Sequence, residues 1–95
     1  MSNKSLFSKL LKKYRGRAGW NQSELARQLE KCGCPLDVST INKYELGERR
    51  PHGGFISCLE ACLKLKDKEA IALCEALATD YLESLVDEYL SWRKK

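Results

Sequence analysis

The 95-residue sequence has few of the side chains that build catalytic centres, and it has no long apolar run. The only histidine, His52, belongs to no serine–histidine–aspartate set, and there is no phosphate-binding glycine loop or pair of carboxylates suited to a cleft. No apolar stretch is long enough to span a membrane, and residues 1–11 lack a signal-peptide core. Apolar and polar residues nowhere alternate with period two, so no sheet is expected. These absences argue against an enzyme and a membrane protein, and they favour a single all-α domain in the cytoplasm.

The five cysteines are odd in number and follow no secretory signal, which argues against a disulfide framework. Cys58 and Cys62 are spaced to share a helix face, but a metal site would need further ligands beside them. We therefore interpret the cysteines mainly as packing residues of the core and turns. Oxidation or metal sensing through Cys32 and Cys34 is the lesser alternative.

Charge is divided unevenly along the chain. Residues 1–51 contain eleven Lys or Arg and five Asp or Glu, a net charge of +6, whereas residues 52–95 contain six and eight, a net charge of −2. Clustered positive charge is what neutralisation of nucleic-acid phosphates requires. A solvated surface with a chance asymmetry would give the same count, so charge alone does not decide between the two.

Helical spacing of apolar residues and capping residues predict six helices. Asn21 with Glu24 forms a capping-box pattern, Asp37 is an N-cap, Gly47 is a C-cap, and a second capping-box pattern begins at Asp80. The predicted helices span about Ser5 to Arg17, Gln22 to Lys31, Val38 to Leu46, Phe55 to Lys64, Asp67 to Ala78, and Tyr81 to Trp92. In the fifth helix, Ile71, Cys74 and Leu77 are expected to be buried.

Two segments of the chain resemble a known family. Residues 19–26 read G-W-N-Q-S-E-L-A, which is similar to the G-L-T-Q-x-E-L-A opening of lambda-repressor-like (XRE) helix-turn-helix domains. Residues 38–51 read V-S-T-I-N-K-Y-E-L-G-E-R-R-P, which is similar to the recognition helix and basic exit of that family. The turn between the two helices, from Leu29 to Leu36, is about five residues longer than the usual one.

This resemblance implies a five-helix DNA-binding domain over residues 1–79, no cofactor, and transcriptional control by a homodimer on a palindrome. An additional C-terminal helix over residues 80–95 would serve packing or dimerisation. By position, the family assigns Arg15 and Glu45 to a structural ion pair that joins the first helix to the third. It assigns contacts with double-stranded DNA to a set of polar and basic residues together with one valine: Gln22, Ser23, Val38, Ser39, Thr40, Asn42, Lys43, Arg49 and Arg50.

Within this set, Gln22 would bind a phosphate, and Thr40 would lie at the phosphate margin. Lys43 would donate to guanine, and Asn42 would read adenine. Arg49 and Arg50 would bind phosphates or enter the minor groove.

The last predicted helix carries more apolar surface than a terminal helix of so small a domain needs. Part of it would pack on the domain's own core, and the remainder would form the dimer contact, through Tyr81, Leu85, Tyr89 and Trp92. We therefore predict a sequence-specific transcriptional regulator, a repressor rather than an activator. The alternative function is an antitoxin or anti-repressor on the same fold, whose last helix binds a protein partner.

Overall fold

A computed structural model describes residues 5–51 and 53–93, and these residues form five α-helices and no strand. The prediction of an all-α fold is confirmed; His52, the only histidine of the sequence, lies outside the described residues. No helix in the described part of the chain combines the length and apolar character that crossing a bilayer requires. The helices are α1 (Leu6–Ala18), α2 (Gln22–Lys31), α3 (Val38–Leu46), α4 (Gly53–Leu63) and α5 (Asp67–Arg93).

Local caps set the bounds of α2 and α3, as predicted. The Asn21 side chain accepts a hydrogen bond from the backbone N–H of Glu24, and the Asp37 side chain accepts one from the N–H of Thr40. The hydrogen bonds from Thr40 lower the pKa of Asp37, so this cap is ionised at neutral pH. Gly47 ends α3 with a φ of 77°, a left-handed conformation that glycine adopts without steric cost.

The core is one cluster to which all five helices contribute, and α1 packs against α3, α4 and α5. Phe55 on α4 lies at its centre, with ring centroids 4.9 Å from Tyr44 and 6.3 Å from Phe7. The fully buried large side chains are Phe7, Leu11, Leu25, Leu29, Ile41, Phe55, Leu59 and Leu73.

Two predictions about the C-terminal third of the chain are wrong. Asp80 does not begin a sixth helix, because α5 continues unbroken for 27 residues and includes the segment expected to be separate. The buried residues of α5 are Leu73 and Ala76, with Leu77 half-buried, whereas Ile71 and Cys74 are exposed. The helix therefore turns a different face to the core than its apolar pattern suggested.

Asp80 caps a helix other than its own. Its carboxylate accepts hydrogen bonds from Ser5 Oγ at 2.7 Å and from the backbone N–H groups of Leu6 and Phe7, both at 3.0 Å. The first N–H groups of a helix have no partner within the helix, and negative charge is favourable at this end. Asp80 thus joins the middle of α5 to the amino end of α1.

Candidate nucleic-acid interface

One side of α3 is buried and the other is open to solvent. Ile41, Tyr44 and Glu45 are buried against the rest of the domain. Because successive residues of a helix are about 100° apart, the residues on the other side point together away from the core. These exposed residues are Val38, Ser39, Asn42, Lys43 and Leu46. The structure therefore brings four of the predicted contact residues onto one free helix face, while Thr40 is half-buried at its edge.

The amino end of α2 lies beside this face. Gln22 is half-buried, and its Nε2 donates to Asn42 Oδ1 at 3.2 Å and to Glu45 Oε1 at 3.0 Å. Ser23 is exposed in the first turn of the same helix. Free backbone N–H groups and the helix dipole at such an end favour an anion. The hydrogen bonds of Gln22 within the protein were not visible in the sequence, since they join residues 20 and 23 positions apart.

An ion pair fixes α3 against α1. Arg15 Nε lies 2.6 Å from Glu45 Oε2, and a second nitrogen of Arg15 donates to Glu45 Oε1 at 3.0 Å. A further nitrogen of Arg15 donates to the carbonyl oxygen of Trp20 at 2.9 Å. The hydrogen bond with Glu45 raises the pKa of Arg15. The side chain of Glu45 is 2% exposed, and its carboxylate is held by this bidentate partner.

The two arginines after α3 lie in an exposed loop. The guanidinium of Arg50 lies over the ring of Tyr81, with Cζ 5.0 Å from the ring centroid. Arg49 and Arg50 also line a groove of about 860 Å³, together with Leu36, Tyr44, Ile56, Leu77 and other residues. Both arginines are thus close to α5, a position that the sequence did not indicate.

The C-terminal half of α5 exposes its apolar residues to solvent. Tyr81, Leu85, Tyr89 and Trp92, the residues predicted to form the dimer contact, are between 41% and 71% exposed. Leu82, Val86 and Leu90 are similarly exposed beside them. Trp92, near the end of the helix, is the most exposed of the seven at 71%. Among the described residues, this half of α5 therefore carries a largely uncovered apolar face, on which the guanidinium groups of Arg50 and Arg93 lie over the rings of Tyr81 and Tyr89.

Four of the five cysteines meet where the turn after α2 reaches α4. Cys34, Cys58 and Cys62 pack against the core, and the thiols of Cys34 and Cys62 face those of Cys58 and Cys32, respectively. Burial and the neighbouring thiols raise the pKa of Cys34 to about 11 and that of Cys62 to about 12. Within the described residues, no group of three or more His, Cys, Asp or Glu side chains is arranged to hold a metal ion.

Comparison with known proteins identifies the family. A family model described as a helix-turn-helix domain matches residues 6–88, which takes in α1 to α4 and most of α5. No curated protein and no solved structure matches the chain. The match agrees with the lambda-repressor-like resemblance of residues 19–26 and 38–51. With its capped helix pair and the exposed face of α3, the chain belongs to the helix-turn-helix domain family, a family of DNA-binding regulators.

Proposed function

We propose that this protein binds specific double-stranded DNA sequences as a homodimer, reads the major groove with α3, and represses transcription. The observation that carries the proposal is the free face of α3, on which Val38, Ser39, Asn42 and Lys43 point away from a buried anchor. A helix of this width fits the major groove of B-form DNA. Lys43 would donate to guanine O6 or N7, and Val38 would pack on a thymine methyl group.

The phosphate contacts would come from the two ends of the recognition unit. At one end, the first turn of α2 presents Ser23 and the backbone N–H groups beside Gln22 to a phosphate. At the other, the exposed Arg49 and Arg50 follow α3 in the loop and carry two positive charges. Thr40, at the edge of the recognition face, would contact the backbone between them. Contacts of this kind position a protein on DNA without reading sequence.

The dimer would form through the apolar face of α5. Leu82, Leu85, Tyr89 and Trp92 are three, four and three residues apart, which is the spacing of a two-helix seam. At about 100° per residue, Leu82 and Tyr89 lie on roughly the opposite side of α5 from the buried Leu73 and Ala76. This apolar face can be buried only against a second apolar surface, and the same face of α5 in another copy of the protein provides one. We include repression because occupancy of an operator is sufficient to exclude a polymerase, whereas activation needs a further protein contact.

Selection of bound sequences from a random duplex library tests DNA reading. We expect an enriched palindrome with half-sites about 34 Å apart, one helical turn of DNA. Lys43→Ala should remove information at defined positions, whereas Lys68→Ala on α5 removes the same charge from an exposed site away from α3 and should leave the motif unchanged. Binding should weaken steeply with salt concentration because counterions are released. An unenriched library with folded protein would refute the proposal.

Sedimentation equilibrium tests the dimer. Leu85→Glu places a charge in the proposed seam and should shift the protein to monomer. Ser91→Glu adds the same charge at another exposed position of α5, outside the seam, and should leave the dimer intact. Equal effects of the two variants, or a wild-type protein that is monomeric at tens of micromolar, would refute dimerisation through this face.

The second candidate, an antitoxin or anti-repressor module, is favoured by one observation. The apolar face of α5 is largely exposed, and a protein partner would cover it as well as a second copy would. In that case the isolated protein would be monomeric, would enrich no DNA sequence, and would bind its partner through residues 81–93.

A further inference from the structure

Four polar side chains form a continuous hydrogen-bonded chain from α1 to the free face of α3. Arg15 Nε and a second nitrogen of Arg15 donate to the Glu45 carboxylate at 2.6 and 3.0 Å. Glu45 Oε1 accepts from Gln22 Nε2 at 3.0 Å, and Gln22 Nε2 donates its other hydrogen to Asn42 Oδ1 at 3.2 Å. The chain begins at a guanidinium and ends at an exposed amide.

The direction of every bond in this chain is fixed by chemistry. A guanidinium has only donors and an ionised carboxylate has only acceptors, so Arg15 must donate and Glu45 must accept. Since Glu45 can only accept, Gln22 must turn its amide nitrogen, and not its oxygen, towards the carboxylate. The same nitrogen faces Asn42, so Asn42 must turn its oxygen inward to accept. The two ends of an amide are easily confused by shape, but here the charged partners determine which is which.

We infer that this chain makes Asn42 a hydrogen-bond donor towards DNA, and that it selects guanine at the base position that Asn42 reads. The inference rests on the proposed function, because it concerns the base contact of the same face. With Oδ1 engaged by Gln22, the group that Asn42 presents outward is the Nδ2 amino group. Guanine offers two acceptors in the major groove, N7 and O6, whereas cytosine offers only an amino donor.

This orientation disfavours the adenine contact expected from an asparagine alone. Reading adenine needs both ends of the amide, because Nδ2 donates to N7 while Oδ1 accepts from the N6 amino group. Gln22 occupies the oxygen end, so only half of that contact remains. Guanine, in contrast, is read entirely by the donor end. The Glu45 charge therefore determines base preference through Gln22, although Glu45 itself is buried and touches no base.

Selection from a random duplex library, carried out with matched variants, tests the inference. Wild-type protein should enrich guanine at one half-site position that loses its information in Asn42→Ala. Gln22→Met keeps the length of the side chain but releases the amide of Asn42, which can then rotate. The ratio of guanine to adenine at that position should fall about tenfold, within the range by which a good base contact discriminates. Gln28→Met, the same change on α2 at a residue bonded to Glu24, should leave the ratio unchanged.

A second variant replaces the hydrogen-bond donor that Asn42 presents to DNA with an acceptor. In Asn42→Asp, one carboxylate oxygen still accepts from Gln22, but the other now presents an acceptor to DNA. The preferred base at this position should change from guanine to cytosine, whose N4 amino group is a donor. Enrichment of adenine by the wild type, or an unchanged preference in both Gln22→Met and Asn42→Asp, would overturn the inference and leave the proposed function intact.

An NMR measurement on the free protein tests the orientation of the Asn42 amide separately from DNA binding. The side-chain amide protons of Gln22 should exchange slowly with solvent in the wild type and fast in Asn42→Ala and Glu45→Gln. Those of Asn42 should exchange fast already in the wild type. Slow Asn42 amide protons in the wild type would overturn the inferred orientation without any DNA. The absence of any enriched sequence would overturn the proposed function and the guanine preference together, whatever the exchange rates.

Discussion

Removal of the Asp80 carboxylate should destabilise the whole domain, although Asp80 lies in the middle of an uninterrupted helix. Its two oxygens accept three hydrogen bonds from residues 5–7, at 2.7 to 3.0 Å. Ser5, the N-cap of α1, also accepts from the backbone N–H of Ser8 at 3.1 Å, so the two side chains together cap the first turn. In Asp80→Ala, Ser5 keeps its own contact but the N–H groups of Leu6 and Phe7 lose their acceptor.

The magnitude follows from these contacts. A hydrogen bond to a charged group contributes about 1.5–3 kcal/mol, and loss of an N-cap costs about 0.5–2 kcal/mol. The contributions are not additive, because water reaches Leu6 and takes over part of the bonding. The better helix propensity of alanine offsets about 0.5 kcal/mol of this loss in the free energy of unfolding. We expect a net loss of about 2–3 kcal/mol in the free energy of unfolding, or about 10–20 °C in Tm for a domain of this size.

Urea denaturation followed by circular dichroism measures the change, and Asp87→Ala is the matched control. Asp87 lies two turns further along α5, is exposed, and makes no hydrogen bond or ion pair among the described residues. Its replacement by alanine changes the same charge and the same helix propensity without removing a cap. If Asp80→Ala costs no more than about 0.5 kcal/mol beyond Asp87→Ala, the usual range of surface substitutions, the capping argument is wrong.

Three further predictions concern glycine and cysteine residues. Gly47→Ala should cost about 1–2 kcal/mol, because φ is +77° and the new Cβ would lie 3.2 Å from the Cβ of Ser5. In Gly16→Ala, on α1, the new Cβ meets no atom within 4 Å, and the change should instead stabilise the domain by about 0.5–1 kcal/mol. Thermal unfolding of both variants measures the two effects, and a change of Tm in the same direction in both would contradict the prediction. At pH 8, iodoacetamide should alkylate Cys34 and Cys62 more slowly than the exposed Cys74, as read by mass spectrometry, because their raised pKa values of about 11 and 12 leave little thiolate. Because their pKa values are raised on folding, the two thiols bind their protons more tightly in the folded state than in the unfolded state. The free energy of unfolding should therefore fall as the pH rises from about 9 towards 11. A Cys34→Ser, Cys62→Ser double variant that kept the full pH dependence would refute the assignment of this effect to the two thiols.

The ends of α2 and α3 could be predicted closely because they depend on neighbouring residues. Asn21 and Asp37 cap the helices that follow them, and Gly47 adopts the left-handed conformation that ends α3. Each of these interactions spans only a few positions of the chain, so the residue types and their order suffice to predict it.

The prediction that a helix begins at Asp80 was wrong because this residue interacts with a distant part of the chain. An aspartate followed by a glutamate three residues later is the pattern of a capping box, and within the sequence nothing distinguishes it from the same pair inside a helix. The acceptor is used, but by the N–H groups of residues more than 70 positions earlier. The outward orientation of Ile71 has a similar origin, because α5 carries apolar residues on two sides and only the packed structure shows which side meets the core.

The candidate site was predictable as a set of residues but not as a hydrogen-bonded arrangement. The resemblance to lambda-repressor-like domains implied that residues 38, 39, 42 and 43 share one face of α3, and the structure shows all four exposed. The orientation of the Asn42 amide could not be predicted, because it depends on Gln22 and Glu45, which lie on different helices and meet only after folding.

α1 connects the two surfaces that the proposed function uses. At its amino end, Asp80 joins it to α5, which carries the proposed dimer face. Near its carboxyl end, Arg15 joins it through Glu45 to α3, which carries the reading face. α1 as a whole is 13 residues, or about 20 Å, long, and both joints lie within it. In a homodimer built through α5, the separation of the two reading helices therefore depends on contacts that touch neither DNA nor the partner. A weakened Asp80 contact should broaden the half-site spacing that the dimer accepts, while each half-site keeps its own sequence.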